Sequence, residues 1–173
     1  MPICARRASA LITAMIVSLS LSPAAYSQGR YTALFDEFID GEKQATSSAE
    51  NALIKALMAA GVHFVDEAQS RKIRSVTDAG QLLSGTISPV ITSLDADVII
   101  AGLSHLDVLT SDLLGPNAHR YDASIEAKAI SVATGQVLGV FQGRGQAMAF
   151  VPRQAAQKAA ELAAQKVATQ VLE

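Results

Sequence analysis

LDADVIIAGLSHLD, residues 94–107, is the stretch on which the fold turns. Asp95 and Asp97 precede an apolar run, Val98 to Ala101 and Leu103, broken only by Gly102, and the run passes into Ser104, His105 and Asp107. A strand with one wet face alternates apolar and polar residues, whereas a strand covered on both faces reads as a continuous apolar run. DVIIAGL is apolar on both faces. It is therefore expected to be a central strand covered by helices, and SHLD is expected at the surface, opening a polar loop.

Working outward, RYTALFDEFID (Arg30 to Asp40) reads as a first strand, with Tyr31, Ala33 and Phe35 on one face at period two. GEKQATSS is the loop that follows. Ser47 with Glu50 forms a capping box that opens the helix AENALIKALMAA, whose apolar stripe is Leu53, Ile54, Leu57 and Met58 and whose stop is Gly61. VHFVD is a short strand, and Asp66 caps a polar helix, EAQSRKIRSV, with Gln69 three residues on. TDAGQLLSG suggests a short helix, and SPVITSL another, with Ser88 as cap and Pro89 at its first position.

Beyond the central strand, TSDLLGPNAHR is a polar loop leading to YDASIEAKAISV. There Ala123, Ile125, Ala127 and Ala129 alternate with Asp122, Ser124, Glu126 and Lys128, so Glu126 and Lys128 lie opposite the alanines. ATGQ is a tight turn in which Gly135 can take positive φ. VLGVFQGRGQAMAF returns as the partner strand, and Pro152 starts a long helix with Ala155, Ala159, Leu162, Ala163 and Val167 on one side. The order β-α-β-α-α-β-β-β-α implies an α/β fold with a single mixed sheet packed by helices, parallel in its first half and an antiparallel meander in its second.

The first 27 of the 173 residues have the layout of a secretory signal peptide: Arg6 and Arg7, the apolar run Ala10 to Ser22, then small residues. Cleavage after Ser27, or after Ala24, would leave a single α/β domain over 28–173, periplasmic or secreted. The only cysteine, Cys4, would leave with the signal, so no disulfide, thiol nucleophile or thiolate metal site is expected. From Gln28 on there are 12 Lys and Arg against 16 Asp and Glu, an ordinary acidic balance that gives no electrostatic case for nucleic acid or anionic lipid. No second stretch is apolar enough to cross a membrane.

His105, Asp107, Asp112, His119 and Asp122 crowd the region between two expected strands. A metal or small-ligand site using His105, Asp107 and His119 is the chemical reading, although the spacings match no closed motif. GRG at Gly143–Gly145 sits inside a strand and opens no helix, so it points to a bulge or close packing rather than to phosphate binding. His63 reads as an interior or edge histidine. No nucleophile elbow is present, and no catalytic residue or cofactor is expected. Arg71, Lys72 and Arg74 form a basic run, a candidate docking patch for an acidic partner.

The segments AENALIKALMAAGVHFVDEAQ, LDADVIIAGLSHLD and SVATGQVLGVFQGRG, with the closing alanine-rich helix, resemble the bacterial envelope domains related to the TolB N-terminal domain, among them the CsgG and FlgT families. The resemblance spans about Tyr31 to Leu172 and implies a TolB-N-like fold and a non-catalytic envelope accessory or adaptor protein. Such a protein would work through protein contacts, in assembly of a surface or secretion structure. It lends no catalytic residues. The lipid-bearing cysteine of the CsgG family is absent after the signal, and no amphipathic insertion offers barrel strands. An edge strand or the alanine-rich helix face could also pair with a copy of itself, giving a homo-oligomer.

Overall fold

A computed structural model describes residues 29–85, 95–109 and 118–173. The expected signal peptide, the expected helix at 88–94 and Asp112 lie outside the described residues. In chain order the elements are β1 (Arg30–Ile39), β2 (Glu42–Lys43), α1 (Ser48–Ala59), β3 (His63–Phe64), α2 (Glu67–Arg74), α3 (Ala79–Leu83), β4 (Val98–Leu109), β5 (His119–Ser131), β6 (Val137–Ala149) and α4 (Pro152–Leu172).

The strands form one open mixed sheet, β2-β1-β4-β5-β6, with β3 sharing the outer edge of β1. β1 runs parallel to β3 and β4, while β4, β5 and β6 are an antiparallel meander. β4 is thus central, as its apolar run requires. Odd-numbered β1 residues Tyr31, Ala33 and Phe35, even-numbered β4 residues Val98 and Ile100, and the β5 alanines face α1 and α4 in the larger core. Leu34, Ile99, Ala101, Ile130 and Val132 face the other way and pack with Ile73 of α2 and Ala79 and Leu82 of α3.

The helix starts follow local chemistry. Asp66 accepts from the Gln69 amide at 2.8 Å, and Asp78 from the Gln81 amide at 2.7 Å. Ser47 accepts from the Glu50 amide at 3.0 Å, but the other half of the expected capping box is absent. The Glu50 carboxylate turns to the Phe35 amide instead, at 2.8 Å. The buried Glu37 carboxylate takes the place at the α1 start, accepting from the Ala49 amide and the Ser47 hydroxyl, where it also faces the positive end of the helix dipole.

Three further expectations need correction. The segment read as a loop after β1 opens with a tight hairpin: Asp40 and Gly41 take φ of 50° and 85°, and Glu42 and Lys43 return as β2. Asp-Gly suits this turn because both central positions need positive φ. SHLD is not a surface loop but part of β4, which continues to Leu109 because Ser104 and Leu106 are buried at period two. Met58 and Leu162, placed on apolar stripes, are 57% and 37% exposed and lie beside the buried faces of their helices.

α4 approaches the sheet closely because β6 carries glycines beneath it. A Cβ at Gly143 would fall inside contact distance of the Ala163 carbonyl, and one at Gly145 inside that of the Ala159 carbonyl. The GRG segment is therefore close packing. Ala155, Ala159, Ala163 and Val167 complete the contact, all fully buried.

Candidate interaction surface

The sheet does not gather the histidines and aspartate of the candidate ligand set. His105 and Asp107 lie on the β4 face away from α4, both exposed. His119, at the start of β5, is two residues from Tyr121 and shares its parity, on the α1 and α4 side. The ring of His105 stacks on Phe38, with centroids 5.1 Å apart and planes 12° from parallel. Asp107 stands opposite Asp122, a like-charge pair across the strands. Among the described residues no three His, Cys, Asp or Glu side chains converge as metal ligands.

The basic run also divides. Arg74 pairs with the Glu50 carboxylate, which is buried, and thereby ties α2 to α1 across the edge of β1. Burial holds the Glu50 carboxyl above the ordinary carboxylate range; the Arg74 charge and the Phe35 amide pull it down less strongly. Arg71 lies 4.0 Å from Glu67 on the same helix, and Lys72 is exposed. His63 is exposed on β3.

Asp40 is a second anchor that the sequence did not disclose. Its carboxylate accepts from the Val108 amide at 2.9 Å and from the Tyr121 hydroxyl at 3.1 Å, joining the end of β1 to β4 and β5. Its own amide donates to the Leu106 carbonyl. The Tyr121 hydroxyl is pushed above its ordinary pKa by burial first and by the Asp40 carboxylate second.

Among the described residues, the arrangement offers an uncovered stretch of sheet surface. α2 and α3 cover β1, the start of β4 and the end of β5, and Lys128 reaches from β5 to the Leu83 carbonyl at 2.7 Å, closing that layer. Beyond it, among the described residues, His105, Glu126, Gln142, Arg144, Gln146 and Met148 are exposed on one continuous face. Glu126 thus lies on the side expected from alternation. A separate groove of about 390 Å³ runs between α1 and α4 on the opposite side, lined by residues including Lys55, Gln157 and Glu161.

β6 forms the far edge of this surface. Phe141, Gly143, Gly145 and Ala147 face α4, and Val140, Gln142, Arg144, Gln146 and Met148 face outward; the sequence does not disclose the edge position of the strand. The side chain of Gln170 on α4 meets both backbone groups of Gln142: its oxygen accepts from the amide at 3.1 Å and its nitrogen donates to the carbonyl at 2.7 Å. No described helix is long and apolar enough to cross a membrane.

No protein family and no curated protein matches the chain. Among solved structures, it is similar to the LpoB C-terminal domain from Salmonella enterica (16% identity, 68% of this chain and 82% of that one, TM-score 0.41). It is similar also to lipoprotein GNA1162 from Neisseria meningitidis (12% identity, 69% and 83%, TM-score 0.41). A third is the PelC dodecamer from Paraburkholderia phytofirmans (15% identity, 80% and 83%, TM-score 0.40). Likenesses this distant carry no conclusion about the activity of this chain, and the TolB-type assignment rests on the sequence motifs alone.

Proposed function

We propose that this chain is an exported, non-catalytic accessory or adaptor protein of the bacterial cell envelope, acting through protein contacts in the assembly of a surface or secretion structure. The observation that carries the reading is the sheet face running from His105 to Met148, uncovered among the described residues. Its side chains are mixed polar and apolar on a rigid, extended support, which suits contact with another protein better than enclosure of a small molecule. Export rests on the pattern of residues 1–27, and the envelope setting on the TolB-type motifs.

A photo-crosslinking amino acid at Glu126 or Gln142, on this face, and at Lys55, on the helical side, tests the proposal in the source bacterium. The expected result is capture of one and the same envelope protein from Glu126 and Gln142 but not from Lys55, with the chain found outside the cytoplasm. Equal background capture from all three positions, or a chain retained in the cytoplasm, overturns it.

A further inference from the structure

β6 is a thirteen-residue strand whose only strand partner among the described residues is β5. Because Gln142 turns its amide and carbonyl toward Gln170, the even-numbered residues of this strand direct their backbone groups to the outer edge. Gln170 occupies that edge at Gln142, and the amides and carbonyls of Arg144, Gln146 and Met148 follow it.

Exposed edges are ordinarily guarded by charge, proline or bulges. Within β6 the only charged residue is Arg144, no proline is present, and the one register shift lies at Val137–Gly139, away from the stretch from Arg144 on. Val137, Leu138, Val140, Met148, Phe150 and Val151 are six of the ten large apolar side chains exposed among the described residues, and Phe150 is 82% exposed. Along the opposite side of the sheet, the described residues engage much of the outer edge of β1. There β3 pairs at Arg30 and Tyr31, Glu50 takes the Phe35 amide, the Gln44 amide takes the Glu37 carbonyl, and β2 pairs at Phe38 and Ile39. Among the described residues, the far side of the sheet therefore offers β6 of a second copy only the two-residue strands β2 and β3, too short to match the Arg144–Met148 stretch.

The charges argue against that copy. Lys166 of α4 lies beside Gly145 and Gln146 in the recess that Arg144 and Asp122 also line. Lys158 is two turns earlier on the same helix, with Leu162 between them. None of Arg144, Lys158 and Lys166 forms an ion pair among the described residues. Two β6 edges paired about a two-fold axis near Gly145 would bring these cations close to their own counterparts, whereas an acidic segment would neutralise them in any register.

From this juxtaposition we infer that the edge of β6 from Arg144 to Phe150 receives an extended, acidic peptide segment of a partner protein as an added strand. Backbone hydrogen bonds to Arg144, Gln146 and Met148 would supply register, apolar contacts with Met148, Phe150 and Leu162 would supply area, and the cations would select charge. The inference rests on the protein-contact reading and names the chemistry of the partner.

The probe is an acetylated, amidated nonapeptide of alternating Glu and Val, added to the purified chain, with amide exchange followed by NMR. The expected result is slowed exchange at Arg144, Gln146 and Met148, with affinity falling as salt rises. Replacing each Glu by Lys, or N-methylating alternate peptide bonds, should weaken binding by roughly tenfold or more. The doubly exposed variant R144E/K166E should reverse the preference toward the Lys peptide, and Gln170→Ala should extend protection to Gln142. No protection at these amides, or equal binding of the Glu and Lys peptides, overturns the inference. So does a concentration-dependent dimer that protects the same amides without peptide, which would make the occupant a second copy. Failure here together with specific crosslinks from Glu126 would remove the strand-addition site and leave the adaptor reading standing.

Discussion

The carboxylate of Glu50 on α1 holds the guanidinium of Arg74 on α2, and the two meet at the open middle of the β1 edge. Neither helix touches that edge by strand pairing. The carboxylate supplies what a strand neighbour would have, an acceptor for the Phe35 amide, and Arg74 compensates the buried charge. Removing the guanidinium leaves a buried carboxylate with one amide partner. Arg74→Ala should therefore cost about 1–3 kcal/mol in urea unfolding. Lys72→Ala, two residues away and exposed, should stay within about 0.5 kcal/mol of the parent and serves as the control.

The same carboxylate should imprint a pH dependence. Burial raises the Glu50 pKa in the folded chain above its unfolded value despite Arg74. A raised carboxyl pKa means that the folded state holds the proton more tightly, so this group favours folding most below the unfolded pKa. That contribution is lost as pH rises through the folded pKa. Glu50→Gln keeps an acceptor for Phe35 and removes the titration. Its stability relative to the parent should rise between pH 4 and pH 8; a relative stability that is flat or falls over this range would contradict the assignment.

Gly143 and Gly145 set the distance between β6 and α4. Each would place a Cβ against a backbone carbonyl of α4 rather than against the end of a flexible side chain. Relief requires the helix to move as a unit, so Gly143→Ala and Gly145→Ala should each cost about 1–3 kcal/mol. By contrast, a Cβ at Gly41 meets nothing within 4 Å, but its φ of 85° strains an alanine there. Thermal unfolding of the three variants separates crowding from backbone strain only if Gly41→Asn, which tolerates that conformation, recovers most of the loss at Gly41.

Much of the fold was legible where the cause is local. Ser47, Asp66 and Pro152 mark helix starts through chemistry within three residues, and the DVIIAGL run disclosed a central strand because both of its faces are covered. What stayed hidden depends on residues distant in sequence. Glu50 reads as half of a capping box until β1 is seen to need an acceptor fifteen positions earlier. Arg74 reads as a free surface cation until α2 is placed beside α1. SHLD looked like a loop because Ser104 and His105 are both polar, yet only burial tells that Ser104 and Leu106 point inward while His105 and Asp107 point out. The side of the sheet on which His119 falls follows from its parity with Tyr121 and Ala123 once β5 is seen to begin at His119, whereas the sequence reads that residue as loop.

Asp40 and Tyr121 should govern alkaline stability. The Tyr121 pKa is raised by burial and then by the Asp40 carboxylate, so its stabilising contribution is intact below the ordinary tyrosine pKa of about 10 and lost as pH climbs through the folded value. Tyr121→Phe should flatten the fall in stability above that pH. Asp40→Asn, which tolerates the positive φ, should lower the pH at which Tyr121 ionises, as read by absorbance at 295 nm, because the charge that disfavours the phenolate is gone. Ionisation of Tyr121 at an unchanged pH in Asp40→Asn would show that burial alone sets the shift.

The histidines give the last test. His105 and Asp107 share the uncovered face, His119 lies on the other, and the His105 ring is stacked on Phe38. A divalent ion held by all three would need ligands from both faces of the sheet, which the paired strands β4 and β5 keep apart. Zinc added to the purified chain should leave the melting temperature unchanged, and His105→Ala should cost no more than about 1.5 kcal/mol, the scale of an aromatic pair. His119→Ala should not alter the response to zinc. A zinc-dependent rise in melting temperature that disappears in either His105→Ala or His119→Ala would mean that the two residues act in one site, and would require the β4–β5 hairpin to depart from the register found here.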